Sequence, residues 1–292
     1  MCSGAAALPW LAGCGTPLPL GVQPAGGAGS AAAAAGAARL RESAEAHGLA
    51  AFRLLRDINV AYDGQWRPLI DRIQPLVVDQ AYRGSSQERL MPAAGINAQS
   101  YSGSAGSKQV IWRRGSGDTP AEVAVWFNGQ RSKDPAVAAA AALVAEGYGL
   151  FLLGPLWLAD RGLAAELAGR ERVNGRDCDV VHVWLRPGLG FAAQDRVALC
   201  IDRDDAVMRR VRFTLEGVAS TQGAVAEVDT FEHQRRFGVL WPLHSHEEVV
   251  HPLRLPANDW HLTGLDVNRG YEPEALQGPQ FSGLAAAPAA AL

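Results

Sequence analysis

Histidine and glutamate side chains cluster late in the chain, where they could bind a metal ion. His244 and His246 are two positions apart, so on a strand they share one face and could give zinc two imidazole ligands. A third ligand would have to come from a neighbouring strand, and the sequence has no HExxH motif. We therefore expect a solvated strand face, no metal and no cofactor, and keep a metal-dependent hydrolase as an alternative. The cluster comprises His233, His244, His246 and His251, with Glu232, Glu247 and Glu248 nearby.

Other residue patterns that carry chemistry are weak in this sequence. The aspartates at 177–179 and 202–205 are typical of turns, and the sequence lacks GxSxG and Walker motifs. A net charge of −3 and a pI near 6.2 give no basis for nucleic-acid binding. The sequence therefore favours a protein that is not an enzyme. Five arginines could contact lipid headgroups, although the outer face of a strand also needs charges: Arg209, Arg210, Arg212, Arg235 and Arg236.

Two of the four cysteines, Cys178 and Cys200, fall in a predicted hairpin of segments 178–186 and 195–202. Pairing residue 186 with residue 195 places Cys200 opposite Val181 and turns Cys178 to the other face. A disulfide needs Cα atoms within about 7 Å. We therefore predict two buried free thiols.

The N-terminal segment contains the motif LAGC at residues 11–14, followed by Gly15. It resembles the bacterial lipobox, which implies that Cys14 becomes the lipidated first residue of the mature protein. Gly15 implies sorting to the outer membrane, facing the periplasm. The upstream segment departs from a signal peptide, because its first ten residues carry no Lys or Arg and Pro9 breaks the apolar run. A chance LAGC in an Ala/Gly-rich stretch is the alternative.

Composition divides the chain into four predicted parts. Residues 1–50 hold 16 Ala and 9 Gly, so we predict a signal remnant over 1–14 and a flexible tether over 15–50, helical around Ala37–Ala46. Residues 52–271 have the composition of a globular domain, and 272–292 form a flexible tail. At 48% hydrophobic the chain is too apolar to be disordered, yet no apolar stretch reaches the length of a membrane-spanning helix.

The central domain shows strands, then helices, then strands. Asp134 and Pro135 are the start of a predicted helix over Ala136–Glu146, which ends near Gly147 and Gly149. The apolar run 150–158 follows, broken by Gly154-Pro155. Thirteen segments are candidates for about ten or eleven strands: Ile58–Tyr62, Val77–Arg83, Glu88–Met91, Asn97–Tyr101, Lys108–Arg113, Glu122–Phe127, Cys178–Arg186, Asp195–Asp202, Val207–Leu215, Gly223–His233, Val239–Leu240, His244–His251 and Trp260–Leu265.

This order predicts an α+β fold, mainly β: a large curved antiparallel sheet, or half-open barrel, with a mid-chain helical lid. In the last third, Val207, Val211, Phe213 and Leu215 share one face, and Met208 lies on the other. A sheet of this size curls, and two helices are too few to fill its concave side, so we expect an apolar cavity.

The order of elements resembles the LolA/LolB-like lipoprotein carrier superfamily. The resemblance covers about 52–251 and rests on VWFNGQRSKDPAVAAAAAL, GLFLLGPLWL and the rhythm from DCDVVHVWLRPG to GVLWP. It implies a monomeric envelope protein that binds a lipid or an acylated protein and reaches the membrane through its lipid anchor. The predicted cavity and lid residues are Phe127, Phe151, Leu153, Leu156 and Trp157, for which ordinary core packing is the alternative. An accessory envelope lipoprotein without a ligand is the second functional alternative.

Overall fold

The computed structural model describes residues 29–115 and 121–276, and Cys14 with its lipobox lies outside them. Thirteen strands form one antiparallel sheet that is not closed, which confirms the predicted fold class. The strands are β1 (Ile58–Trp66), β2 (Ser85–Met91), β3 (Ile96–Gly103), β4 (Gly106–Arg113), β5 (Glu122–Phe127), β6 (Gln130–Arg131), β7 (Ala165–Val173), β8 (Arg176–Leu185), β9 (Asp195–Asp202), β10 (Met208–Thr214), β11 (Val225–Arg236), β12 (Val239–His251) and β13 (Leu255–Val267). The helices are α1 (Ala31–Ala46), α2 (Leu49–Phe52), α3 (Pro68–Ile73), α4 (Pro75–Val78), α5 (Pro135–Leu153) and α6 (Pro155–Leu158).

The chain enters the sheet at its centre and leaves it at its centre. The spatial order is β6-β5-β4-β3-β2-β1-β13-β12-β11-β10-β9-β8-β7. The first six strands wind outwards to one edge, α5 and α6 connect to the other edge, and the last seven strands wind back. β13 then pairs with β1, with Ile58 opposite Val267. The C-terminal strand, which is predicted only over Trp260–Leu265, therefore joins the two halves of the sheet.

The mid-chain helix α5 is longer and more deeply buried than predicted. Asp134 caps it as expected, its carboxylate accepting a 2.8 Å hydrogen bond from the backbone N–H of Ala136. The helix continues through Gly147 and Gly149 to Leu153, because burial on all sides outweighs the cost of about 1 kcal/mol for each glycine. Its 19 residues are long and apolar enough to cross a membrane, which corrects the prediction that no stretch is; most of it is buried inside the fold, as in a core helix.

One strand prediction is wrong, and one strand of the sheet was not predicted. Residues 77–83 are not a strand, because Pro75 starts α4 and a 3₁₀ turn, Gln80–Tyr82, follows it. β7 has no predicted counterpart, since most of its residues are exposed and carry no apolar alternation.

The predicted tether contains a packed helix. α1 begins at Ala31, six residues before the predicted Ala37, and Leu40 and Ala44 are buried against the main core. A Cβ on Gly36 would lie 2.4 Å from the Cα of Glu166, so α1 and β7 are in close backbone contact. At least this part of segment 15–50 is integral to the fold.

The strand register differs from the prediction at two places. Leu185, not residue 186, pairs with Asp195, so Cys200 lies opposite Val180 and shares a small apolar cluster with Cys178. Both thiols are free and buried, and burial raises the pKa of Cys178 to about 11. A bulge between Met208 and Arg210 returns Met208 to the main core, which corrects its assignment to the outer face.

Candidate ligand-binding cavity

An apolar cavity of about 380 Å³ lies on the concave side of the sheet, between α5 and the short helices α3 and α4. Its volume falls within the usual range for small-molecule pockets, about 300–1,000 Å³. α5 forms the inner wall, α3 and α4 the outer wall, and the ends of β10, β12 and β13 the floor. The lining residues include Trp66, Ile70, Ile73, Val77, Leu143, Val144, Gly147, Tyr148, Phe151, Phe213, Leu215, Glu247, Val249, Leu253, Leu255 and Ala257.

The outer wall exists because the sequence places a proline at the start of two successive short helices. Pro68 opens α3 and Pro75 opens α4, each at a first helical position, where its missing N–H costs no hydrogen bond. Ile70 and Val78 point inwards and are buried. Two short helices, each with few buried side chains, make a thin wall over the cavity.

The mouth of the cavity carries exposed apolar side chains. Leu253, in the turn between β12 and β13, is 68% exposed, and Ile73 at the end of α3 is 49% exposed; both line the cavity. Leu69 and Leu76, on α3 and α4, are also exposed. We call Leu253 and Ile73, the two that line the cavity, the apolar rim. Apolar surface around an opening is typical of sites that contact ligands, proteins or membranes.

Gly147 leaves room inside the cavity wall. A Cβ built on it meets no other atom within 4 Å, although the residue itself is buried in α5. The glycine faces the cavity. The empty volume beside α5 therefore depends partly on the lack of a side chain at this position.

Glu247 is a buried carboxyl group at the cavity wall. It accepts a hydrogen bond from the Asn258 side chain, and burial raises its pKa to about 7 against the opposing effect of that bond. The charges of His246 and Arg83 also oppose this rise in pKa at longer range. The wall can therefore be electrically neutral at neutral to acidic pH.

A polar cluster closes the inner end of the cavity. The buried Arg83 guanidinium donates a 3.2 Å hydrogen bond to the Tyr148 hydroxyl on α5 and lies 4.3 Å from the centre of the Tyr101 ring. Glu88 accepts a 3.0 Å bond from the Gln99 amide, and burial raises its pKa to about 7. Arg83 thus joins Tyr148 of α5 to Tyr101 of β3.

The predicted ligand-binding residues lie in different places. Phe151 lines the cavity. Leu153 and Leu156 are buried in the main core. The Trp157 ring lies between the guanidinium groups of Arg114 and Arg161, and Phe127 is half-buried on β5 against Tyr82. The apolar run 150–158 thus contributes Phe151 to the cavity and otherwise packs in the core.

Sequence reasoning missed most of the cavity wall. Trp66 ends β1, and Ile70 and Val77 belong to α3 and α4, which the alternation analysis either left unassigned or predicted as a strand. The signal that could identify these helices is the pair Pro68 and Pro75, spaced by seven residues between the first two strands.

The arginines considered for headgroup contacts are mostly paired with acids on the convex face. Arg210 and Arg212 on β10 share Glu171 and Glu227, at 2.5–3.2 Å. Arg209 pairs with Asp202 at 3.0 Å. Acidic side chains on neighbouring strands therefore neutralise Arg209, Arg210 and Arg212, in agreement with a charged outer face.

His244, His246 and His261 lie on the convex face, where β12 and β13 bring together residues distant in sequence. His244 is opposite His261, and His246 is opposite Asp259. The Asp259 carboxylate bonds to both His244 Nε2, at 2.5 Å, and His246 Nδ1, at 2.9 Å. Partial burial would raise the pKa of Asp259, but these hydrogen bonds outweigh it and lower the pKa.

The open antiparallel sheet with a mid-chain helix on its concave side has counterparts among solved structures. A DUF1329 family protein from Desulfovibrio piger superposes on this chain with a TM-score of 0.53 at 11% identity, covering 85% of this chain and 100% of its own. A Vibrio parahaemolyticus domain described as an outer membrane lipoprotein-sorting protein gives 0.44 at 10% identity, covering 84% and 97%. A LolA superfamily protein from Nitrosomonas europaea gives 0.41 at 10%, covering 85% and 98%. No protein-family model matches the chain, and no curated protein does.

Proposed function

We propose that this chain is a non-enzymatic lipid-binding protein of the cell envelope that takes an acyl chain, free or attached to a protein, into its cavity. The observation that carries the proposal is the 380 Å³ apolar cavity, open at a rim of exposed apolar residues. The open sheet fold and the sequence resemblance to lipoprotein carriers agree with it. In this proposal the protein acts as a monomer.

The driving force is the removal of hydrocarbon from water. Burial gains about 0.8 kcal/mol per methylene, so ten methylenes would gain about 8 kcal/mol before the ordering cost of binding. The wall offers an acyl chain aliphatic and aromatic contacts along α5, from Leu143 to Phe151. A protonated Glu247 would leave this wall uncharged, which suits an uncharged tail.

In this proposal, movement of the outer wall widens the mouth of the cavity for the acyl chain. α3 and α4 have six and four residues and expose Leu69 and Leu76 to solvent. α5, by contrast, is buried along most of its length and bonded to Arg83. In this proposal the two short helices open, and the mid-chain helix stays in place as the inner wall.

Membrane attachment through Cys14 is part of the proposal. The motif LAGC would place diacylglyceryl and acyl groups on that residue, and several chains anchor a protein firmly. Mass spectrometry of the mature N-terminus in the native host tests it directly. A Cys14→Ser variant should move from the membrane to the soluble fraction; an unmodified Cys14 would refute the anchor without affecting the cavity.

The decisive test of the cavity uses Gly147→Phe. Because a side chain here enters open space, the variant should fold and fill the cavity. We expect displacement of a fluorescent fatty acid from the full chain to show a loss of affinity of at least a hundredfold. Ala136→Phe, on an exposed position of the same helix, is the matched control and should bind like the wild type.

Two results would contradict the proposal. Wild-type protein that binds no fatty acid or diacyl lipid would favour the accessory lipoprotein without a ligand. Equal binding by wild type and a folded Gly147→Phe variant would place the ligand elsewhere. Unchanged far-UV circular dichroism and melting temperature show that the variant is folded.

A further inference from the structure

The convex face of the sheet gathers metal-ligating side chains from three adjacent strands. In one cross-strand row, His244 on β12 is opposite His261 on β13, and His261 is opposite Asp63 on β1. In the next row, His246 is opposite Asp259. Side chains of both rows point away from the core. The neighbouring strand β13 therefore places Asp259 and His261 beside His244 on one face.

The ligand atoms are already close to the spacing of a metal site. One nitrogen or oxygen each from His244, Asp259 and His261 lies within 4.8 Å of the other two. In a tetrahedral zinc site with bonds of about 2.1 Å, neighbouring ligand atoms are about 3.4 Å apart. Rotation of the exposed His261 ring, which stacks on His244 at 4.3 Å, can close this difference.

We propose that His244, His261 and Asp259 form a binding site for a divalent transition-metal ion of the zinc type. Imidazole nitrogens and a carboxylate oxygen are the ligands that Zn²⁺ takes at open sites, where water fills the fourth position. His246 holds the second Asp259 oxygen at 2.9 Å and orients the carboxylate. Phe231, stacked on His244 at 5.1 Å, restricts that ring on its other side.

The surroundings are compatible with a cation. The Arg67 guanidinium lies 3.8 Å from Asp259, but its side chain is 41% exposed and can turn to solvent. Glu248, 3.8 Å from His246, and Asp63 add negative charge to the same face. The side chains named here lie within the described residues.

The site lies directly behind the cavity wall. Trp260, between Asp259 and His261, points to the concave side and contacts the rings of Trp66 and Tyr148, at 6.3 and 6.2 Å. A bound metal would link β12 to β13 across the sheet. We therefore expect Zn²⁺ to raise the melting temperature of the protein, since a ligand of the native state stabilises it.

The test is a Zn²⁺ titration of the tag-free full chain in competition with a chromophoric chelator. We expect one Zn²⁺ per wild-type chain and at least a tenfold lower affinity in both His244→Ala and His261→Ala. His251→Ala, near the end of the same strand, is the matched control and should stay within twofold. Melting curves without metal show whether the variants are folded.

Two outcomes would overturn the proposal. Either wild-type protein retains no zinc against the chelator, or His251→Ala loses as much affinity as His244→Ala. Co²⁺ substitution separates this site from cysteine ligation, because thiolates add an intense near-ultraviolet charge-transfer band. Its appearance would assign the metal to cysteines and also refute the site. None of these readouts depends on lipid binding.

Discussion

Two glycines near the C-terminal end of α5 have opposite surroundings. A Cβ on Gly147 would meet open space, whereas a Cβ on Gly154 would lie 2.7 Å from the Met208 sulfur. The first faces the short helices α3 and α4, and the second faces α6 and the sheet. We call these regions the open end and the sealed end of the concave side.

The comparison shows that the apolarity of the helix does not locate the cavity. Leu150 to Leu158 form the most apolar segment, yet most of it lies in the sealed end, where its side chains are buried in the main core. The cavity lies where the cover is thin, under α3 and α4. The following predictions test whether the two ends differ in stability and binding as their packing implies.

The largest stability effect is expected in the sealed end. Leu156→Ala removes a side chain that is 2% exposed, so the free energy of unfolding should fall by about 3 kcal/mol. Fatty-acid affinity of the folded fraction should not change. Chemical denaturation measures the stability, and probe displacement measures the affinity. Leu54→Ala, at an exposed position outside the cavity wall, is the control. A loss of affinity in Leu156→Ala would extend the cavity into this end.

Glu247 predicts a pH dependence specific to the open end. With its pKa raised to about 7 by burial, against about 4.3 in an unfolded chain, the native state holds an extra proton between these values. Its contribution to stability is therefore present below about pH 4.5 and is lost as the pH rises through 7. Glu88 and Glu146 follow the same direction.

Glu247→Gln isolates this contribution. Relative to wild type, the variant should gain about 1–3 kcal/mol between pH 4.5 and 8, and its acyl affinity should not fall above pH 7. Denaturation curves over this pH range provide the measurement. Parallel curves for the two proteins would show that burial does not raise the pKa of Glu247.

A smaller gain is expected from Gly147→Ala. The methyl group enters open space and replaces a glycine inside a helix, so stability should rise by about 1 kcal/mol while an acyl chain still fits. Calorimetry and probe displacement measure both. A loss of stability would mean that α5 needs glycine here for a close approach.

The smallest stability effect is expected at the rim. Leu253→Ser should change the free energy of unfolding by less than about 0.5 kcal/mol, because the side chain is 68% exposed. Transfer of a fluorescent fatty acid from vesicles should nevertheless slow several-fold. Leu54→Ser, 76% exposed and absent from the cavity wall, should transfer at the wild-type rate; equal slowing would remove the rim from the entry path.

Local signals in the sequence predict those elements whose formation depends on residues close together in the chain. Asp134 and Pro135 define the start of α5, and apolar alternation identifies most central strands. The same logic failed at Gly147, because the helix end depends on burial from several strands. It also failed at the bulge before Arg210, where one extra residue reverses which face Met208 occupies.

The candidate sites were harder to predict because both combine distant segments. Phe151 was foreseen in the cavity, but its neighbours Trp66 and Leu255 come from opposite ends of the domain. Likewise, two histidines on β12 suggested two ligands, and the pairing with β13 supplies Asp259 and His261. Strand pairing over such separations has no local sequence signal.

The central position of β13 has a consequence for protein synthesis. Until Leu255–Val267 leaves the ribosome, the sheet exists as two six-stranded pieces, β1–β6 and β7–β12, with four unpaired borders instead of two. Free borders of this kind recruit other chains. Nascent and C-terminally truncated molecules should therefore self-associate, and completion of a single segment removes two of the four free borders.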